Sequence, residues 1–236
     1  MQLIKRNDKD FQQKLEPLLK RSAFSSDIDR SVSEILERVR REGDAALSAF
    51  ALQFDHATLT PQEFRVSDAE CRDAVKSVDS ATRAAVDCAV AQIQDFSRRR
   101  LPGNWSCTPR AGVTLGEQFS PLERVGCYVP GGTAPLISTV VHTVAIAAAA
   151  GVREIVVVTP PGKDGAVNPV LLYACQKAGA TEIYRLGGVY GIAALAFGTA
   201  TVRKVEKIVG PGNAYVTAAK RQVYGEVALD LVAGPS

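Results

Sequence analysis

The second half of the chain alternates short β-branched runs with helical runs, and this limits the fold more than any other feature. RVGCYV (124–129), REIVVVT (153–159), TEIYRL (181–186), EKIVG (206–210) and VALDLV (227–232) read as strands. Between them lie helical stretches at 136–150, NPVLLYACQKAG (168–179), 189–197 and NAYVTAAKRQVYG (213–225). Strands alternating with helices predict a parallel sheet covered by helices. The right-handed crossover rule makes this a doubly wound, mostly parallel, Rossmann-like α/β unit.

In such a sheet, ligands bind at the carboxyl ends of the strands. Glycines gather there, in Tyr128-Val129-Pro130-Gly131-Gly132-Thr133, Gly187-Gly188-Val189-Tyr190-Gly191 and Gly210-Pro211-Gly212-Asn213. None of the three turns holds a carboxylate. Helix N-termini just beyond them suit an anionic group such as a phosphate. The GxGxxG and GxxxxGK[ST] signatures are absent, so a nucleotide here would be held by a non-standard arrangement. Tight strand-to-helix turns also need glycine for structure alone, and the residues leave both readings open. Tyr128 and Asn213 are the side chains best placed to act. Each also has an ordinary role, as a buried tyrosine and a helix N-cap. Tyr190, Tyr173 and Cys175 carry no reactive signature by themselves, and His142 reads as a satisfied core histidine.

Residues 1–127 differ in character. They carry 19 basic and 19 acidic residues with five glycines, against nine basic, six acidic and fourteen glycines in 128–236. The contrast predicts two units, a helix-rich partial first domain (1–127) and the Rossmann-like domain (128–236). Val32, Ile35, Leu36 and Val39 form a stripe at helical spacing, with Asp27 or Asp29 as cap. Asp44 caps a second helix with Leu47, Phe50, Ala51 and Phe54 on one side. Ser67 and Glu70 form a capping-box pattern. A longer helix over 80–100 turns Ala85, Cys88, Ile93 and Phe96 inward. VTLGEQF and ERVGCYV read as two strands joined at Ser120-Pro121, and His56 as a surface residue.

Composition removes several classes. The net charge of +3 is too mild for a nucleic-acid partner. Residues 125–152 lack any charge, but Pro130, Gly131, Gly132 and Pro135 interrupt them, and the remainder is shorter than the roughly 20 residues a membrane span needs. Five scattered cysteines without a CxxC fit a reducing compartment, and no secretory leader opens the sequence, which points to the cytoplasm. With only two histidines and no paired Cys/His spacing, a complete metal site within the chain is not expected.

VGCYVPGGTAPLISTV (125–140), GGVYGIAALAFGT (187–199), KIVGPGNAYVTAAKR (207–221) and LDLVAGPS (229–236) resemble histidinol dehydrogenase, as do REGDAAL (41–47) and FD (54–55). The resemblance covers nearly the whole chain. It implies a fold of the aldehyde-dehydrogenase-like superfamily and a two-step, NAD-dependent oxidation of L-histidinol to L-histidine through an aldehyde that is not released. It also implies a zinc ion that positions the substrate, and a homodimer. Tyr128 and Asn213 match cofactor-contacting positions. A third, usually glutamine, aligns with Tyr190, and a phenol cannot reproduce a side-chain amide. Ser236 matches a substrate-contacting serine.

Family members continue well past the GPS segment, and the zinc ligands and catalytic residues of the resemblance lie in that continuation. The expectation is therefore an amino-terminal portion with no catalytic or metal residues of its own, inactive when isolated. Two other readings stand beside it: a non-catalytic nucleotide-binding module or truncated paralogue, and a relative oxidising a different alcohol.

Overall fold

The computed structural model describes residues 4–19, 25–131 and 136–232. The chain begins with helices α1 (Phe11–Leu19), α2 (Ser26–Glu42) and α3 (Asp44–Phe50), then a π-helical turn at Ala51–Asp55. Helices α4 (Asp68–Ser77) and α5 (Ser80–Arg99) follow, then strands β1 (Trp105–Arg110) and β2 (Val113–Glu117). The alternating part comprises β3 (Arg124–Tyr128), α6 (Ile137–Ala149), β4 (Glu154–Val158), α7 (Pro169–Ala178), β5 (Glu182–Tyr184), α8 (Gly188–Phe197), β6 (Lys207–Val209), α9 (Ala214–Gln222) and β7 (Ala228–Leu229).

Strands β3 to β7 form one five-stranded sheet in the order β5-β4-β3-β6-β7. Every pairing is parallel, and Gly126 of β3 stands level with Val156 of β4 and Ile208 of β6. The chain winds from β3 to β5 in one direction, then returns to β6 on the other side of β3. This is the doubly wound α/β arrangement, with its switch point between β3 and β6.

Strand residues alternate between two cores, as the two-residue period of a strand requires. Tyr128, Val156 and Val158 join the core built with α2, α3, α8 and α9. Val125, Cys127, Ile155 and Val157 join the core built with α4 to α7. The helices of the amino-terminal part thus form an outer layer on both faces of the sheet unit. The division expected between residues 127 and 128 falls inside β3, the central strand.

Five local expectations are corrected. The hairpin is β1 with β2, antiparallel about Ala111-Gly112, where Gly112 takes φ +77°. Arg124–Tyr128 instead lies buried in the parallel sheet, its five residues all covered. On α5 the buried residues are Val86 and Val90, with Ile93 partly covered, whereas Ala85, Cys88 and Phe96 are exposed. Alanines on several sides of this helix blur its apolar stripe. His142 is exposed on α6 and faces an apolar groove beside Pro121, Leu122 and Ile146. Helix α6 is apolar nearly all round, so its composition does not mark which side meets the core. Ser25, with Asp27 and Asp29 in the first turn, begins α2, and Gly43 begins α3. The Ser67–Glu70 capping box forms as expected, and His56 is exposed.

Candidate functional site

At the carboxyl edge of the sheet a cavity of about 640 Å³ opens between the starts of α8 and α9 and the outer helix α2. Gly188 and Tyr190 from α8, Asn213 and Tyr215 at the start of α9, Glu34 and Arg38 from α2, and Asp55 all contribute to its wall. Helices α8 and α9 both start here without an acidic residue in the first turn. Their unpaired backbone N–H groups therefore give this wall a partial positive charge.

The turn glycines divide by what stands where a side chain would be. A Cβ on Gly187 would meet Pro160 at 2.6 Å, and one on Gly212 would meet Val216 at 2.3 Å. Those glycines let the protein pack against itself. Gly188, with φ +47°, has nothing within 4 Å of that position and lines the cavity. At this point backbone can meet a ligand.

Tyr190 is 1% exposed, and its hydroxyl donates to the Asp55 carboxylate. Burial, then the neighbouring carboxylate, pushes the Tyr190 phenol far up. Burial also raises Asp55, while the Tyr190 hydrogen bond works the other way. Asp55 thus sits as a partly desolvated acid with a fixed donor. Tyr128 lies behind the wall, 5% exposed, its phenol pushed up to about 12 chiefly by burial, with the Gly188 amide as a donor. Asn213 is exposed and caps α9, its Oδ1 accepting from Val216 N at 3.0 Å. That leaves its amide nitrogen for a ligand.

The structure brings Tyr190 and Asn213 to one cavity and sets Tyr128 just beneath it. Ser236 lies outside the described residues. Sequence reasoning gave no role to Asp55, Glu34, Arg38 or Tyr215. A lone Asp beside Phe54 was the only available signal. Among the described residues, no group of three or more His, Cys, Asp or Glu could hold a metal ion.

The family model for histidinol dehydrogenase matches residues 19–236. The chain belongs to the histidinol dehydrogenase family. It is 47% identical over 217 residues to the histidinol dehydrogenase of Symbiobacterium thermophilum, covering 92% of this chain and 49% of that protein. It is 46% identical over 234 residues to that of Brucella abortus, covering 99% and 54%. The crystal structure of histidinol dehydrogenase from Elizabethkingia anophelis superposes with a TM-score of 0.86 at 36% identity, covering 95% of this chain and 52% of that one. The chain spans about half the length of the relatives it matches. Within the histidinol dehydrogenase frame, the position where the resemblance implies glutamine holds Tyr190, already bonded to Asp55. No helix among the described residues is long and apolar enough to cross a membrane.

Proposed function

We propose that this chain forms the dinucleotide-cradling half of an NAD-dependent histidinol dehydrogenase. The observation that carries the reading is the meeting of two acid-free helix N-termini with Tyr190 and Asn213 around one open cavity at the sheet's switch-point edge. The residues fit the cofactor: Gly188 leaves room for close backbone approach, the helix starts favour its phosphates, and the Asn213 amide nitrogen can bond a ribose or phosphate oxygen. Asp55 adds a carboxylate able to accept from a ribose hydroxyl. Tyr128, buried at the end of β3, lies behind that wall.

When bound, NAD supplies the hydride acceptor. In the whole reaction the primary alcohol of L-histidinol becomes an aldehyde and then, as its hydrate, a carboxylate. Each stage would need one NAD⁺ as hydride acceptor, and the whole would consume one water and release two NADH and three protons. The zinc that the resemblance implies finds no donor set among the described residues, so no step is derived through it. On the same reading the working protein is a cytoplasmic homodimer with L-histidinol as its small-molecule substrate, and Ser236 contacts that substrate.

Calorimetric titration of the chain with NAD⁺ tests the cradle. Asn213→Ala, which loses both the cap and the amide, should weaken binding about tenfold. An unchanged affinity, or no binding by the parent chain, overturns the reading. Incubation of the chain alone with L-histidinol, zinc and NAD⁺ should yield no NADH, and steady turnover would show that the chain needs no other half. The bond between Tyr190 and Asp55 favours a second reading, a nucleotide-binding module with altered use of this position. That reading predicts NAD⁺ binding that persists when the chain is joined to a relative's carboxyl-terminal half, without restored turnover.

A further inference from the structure

We infer that Lys220 and Asp230 are positioning residues that set the Gly210–Asn213 turn for its dinucleotide. The inference rests on the cofactor reading above and extends it to residues outside the cavity wall.

Lys220 lies seven residues after Asn213, two turns along α9 and roughly 10 Å up its axis. Helix side chains lean toward the N-terminus, so a long side chain there can reach back to the turn that opens the helix. The Lys220 ammonium is buried, 4% exposed, and donates to the Gly210 carbonyl at 2.9 Å. It also pairs with the Asp230 carboxylate. Asp230, just beyond β7, accepts from the Gly210 amide at 2.9 Å through its other oxygen and from the Leu231 amide at 2.7 Å. Both backbone polar groups of Gly210 are thereby held by one ion pair.

Gly210 is a sensitive place to hold. It has φ +124°, and a Cβ there would stand 2.2 Å from the Tyr128 carbonyl oxygen. Its backbone is therefore wedged against the end of β3. Pro211 and Gly212 follow, and then Asn213. Pro211 has no N–H to anchor the turn itself. A buried ion pair is commonly no more stabilising than apolar residues of the same size. Stability alone gives little reason for a buried lysine here, whereas two fixed hydrogen bonds to one glycine do fix where Asn213 and Tyr128 stand.

The test uses the 236-residue chain, NAD⁺ as titrant, thermal unfolding, and backbone amide spectra without ligand. Lys220→Met and Asp230→Asn should each weaken NAD⁺ binding about tenfold or more, the scale expected when a contact group is displaced by a fraction of an ångström. The amides of Gly210 and Asn213 should shift while that of Val156 in β4 stays. Lys220→Arg, which keeps a charged donor, should recover most of the affinity. If single variants fold poorly, the paired replacement Lys220→Met with Asp230→Leu restores neutrality, and it should fold yet bind weakly. Parent-like affinity in that pair, or in either single variant, overturns the inference and leaves the cofactor reading standing. A parent chain that binds no NAD⁺ overturns the cofactor reading, and the inference falls with it.

Discussion

The Tyr190 hydroxyl donates to the Asp55 carboxylate, joining the start of α8 to a turn 135 residues earlier in the chain. Asp55 is raised above its ordinary carboxyl range, chiefly by burial, and Tyr190, ahead of His56, restrains the rise. Below the unfolded value of about 4, both states are protonated and Asp55 has no effect. As pH rises through the folded value, the native state holds a proton that the unfolded state has lost, so stability falls. Asp55→Asn should therefore gain stability relative to the parent as pH rises from about 4 toward neutrality. Tyr190→Phe should move the Asp55 titration still higher and lower stability at neutral pH by roughly 0.5–1.5 kcal/mol. Urea denaturation across that pH range, with carboxyl carbon NMR of Asp55, measures both. A Tyr190→Phe chain with an unmoved Asp55 titration would rule the pair out.

At the opposite edge of the sheet, Arg124 gathers the starts of three neighbouring strands. Its guanidinium donates to both Glu182 oxygens at 2.9 and 2.7 Å and to Glu154 at 2.8 Å. The Arg124 side chain is only 5% exposed; its removal leaves Glu182 with the Tyr184 hydroxyl and the partly exposed Glu154 with Arg203. Arg124→Ala should lose about 1.5–3 kcal/mol at neutral pH by urea denaturation, the scale of hydrogen bonds to charged groups. Arg124, ahead of all other causes, holds Glu182 below its ordinary value. That contribution is complete above the unfolded value of about 4.3 and fades as pH falls through the folded one. The gap between Arg124→Ala and the parent should accordingly narrow in acid. A constant gap would assign the loss to packing.

The central strand tolerates no added bulk at Gly126. A Cβ there would stand 2.7 Å from Cδ1 of Leu195 in α8. Gly126→Ala should cost about 1–3 kcal/mol through overpacking. Because the obstacle is one side chain, Leu195→Val in the same chain should recover part of the loss. Simple additivity of the two changes in a double-mutant cycle would show that they do not meet.

How much of this was legible depends on what each element exposes. β3, β4 and β5 are largely buried, apolar-rich runs, so burial on both sides writes them plainly into the sequence, whereas the edge strand β7 is only two residues long and partly exposed. β1 contains Pro109, ends in Arg110 and is exposed along its whole length, so no alternation marks it. Asn213 was singled out because it sits in a glycine turn that topology sends to one edge, and Tyr190 only through the family resemblance, since the residues alone give it no signature. Asp55 was not, because it enters from a π-helical turn whose neighbours carry no ligand-binding pattern. Lys220 and Asp230 look like surface charges in a helix and a strand end, and only the fold reveals that both reach Gly210.

The cysteines give a test that needs no ligand. Cys88 and Cys107 are exposed, while Cys71, Cys127 and Cys175 are buried. Burial pushes the Cys127 thiol up to about 12 and drives Cys175 higher still. Since the thiolate is the nucleophile, both burial and suppressed ionisation protect the buried three from an aromatic disulfide reagent at neutral pH. Two thiols of the native chain should react quickly, and the remaining three only at the rate of unfolding, all five reacting at once in denaturant. Cys71 and Cys175 lie on α4 and α7, and Cys127 on β3. Their protection therefore reports whether the amino-terminal helices close over the sheet in solution. Rapid labelling of all five in the native chain would mean that this layer is open.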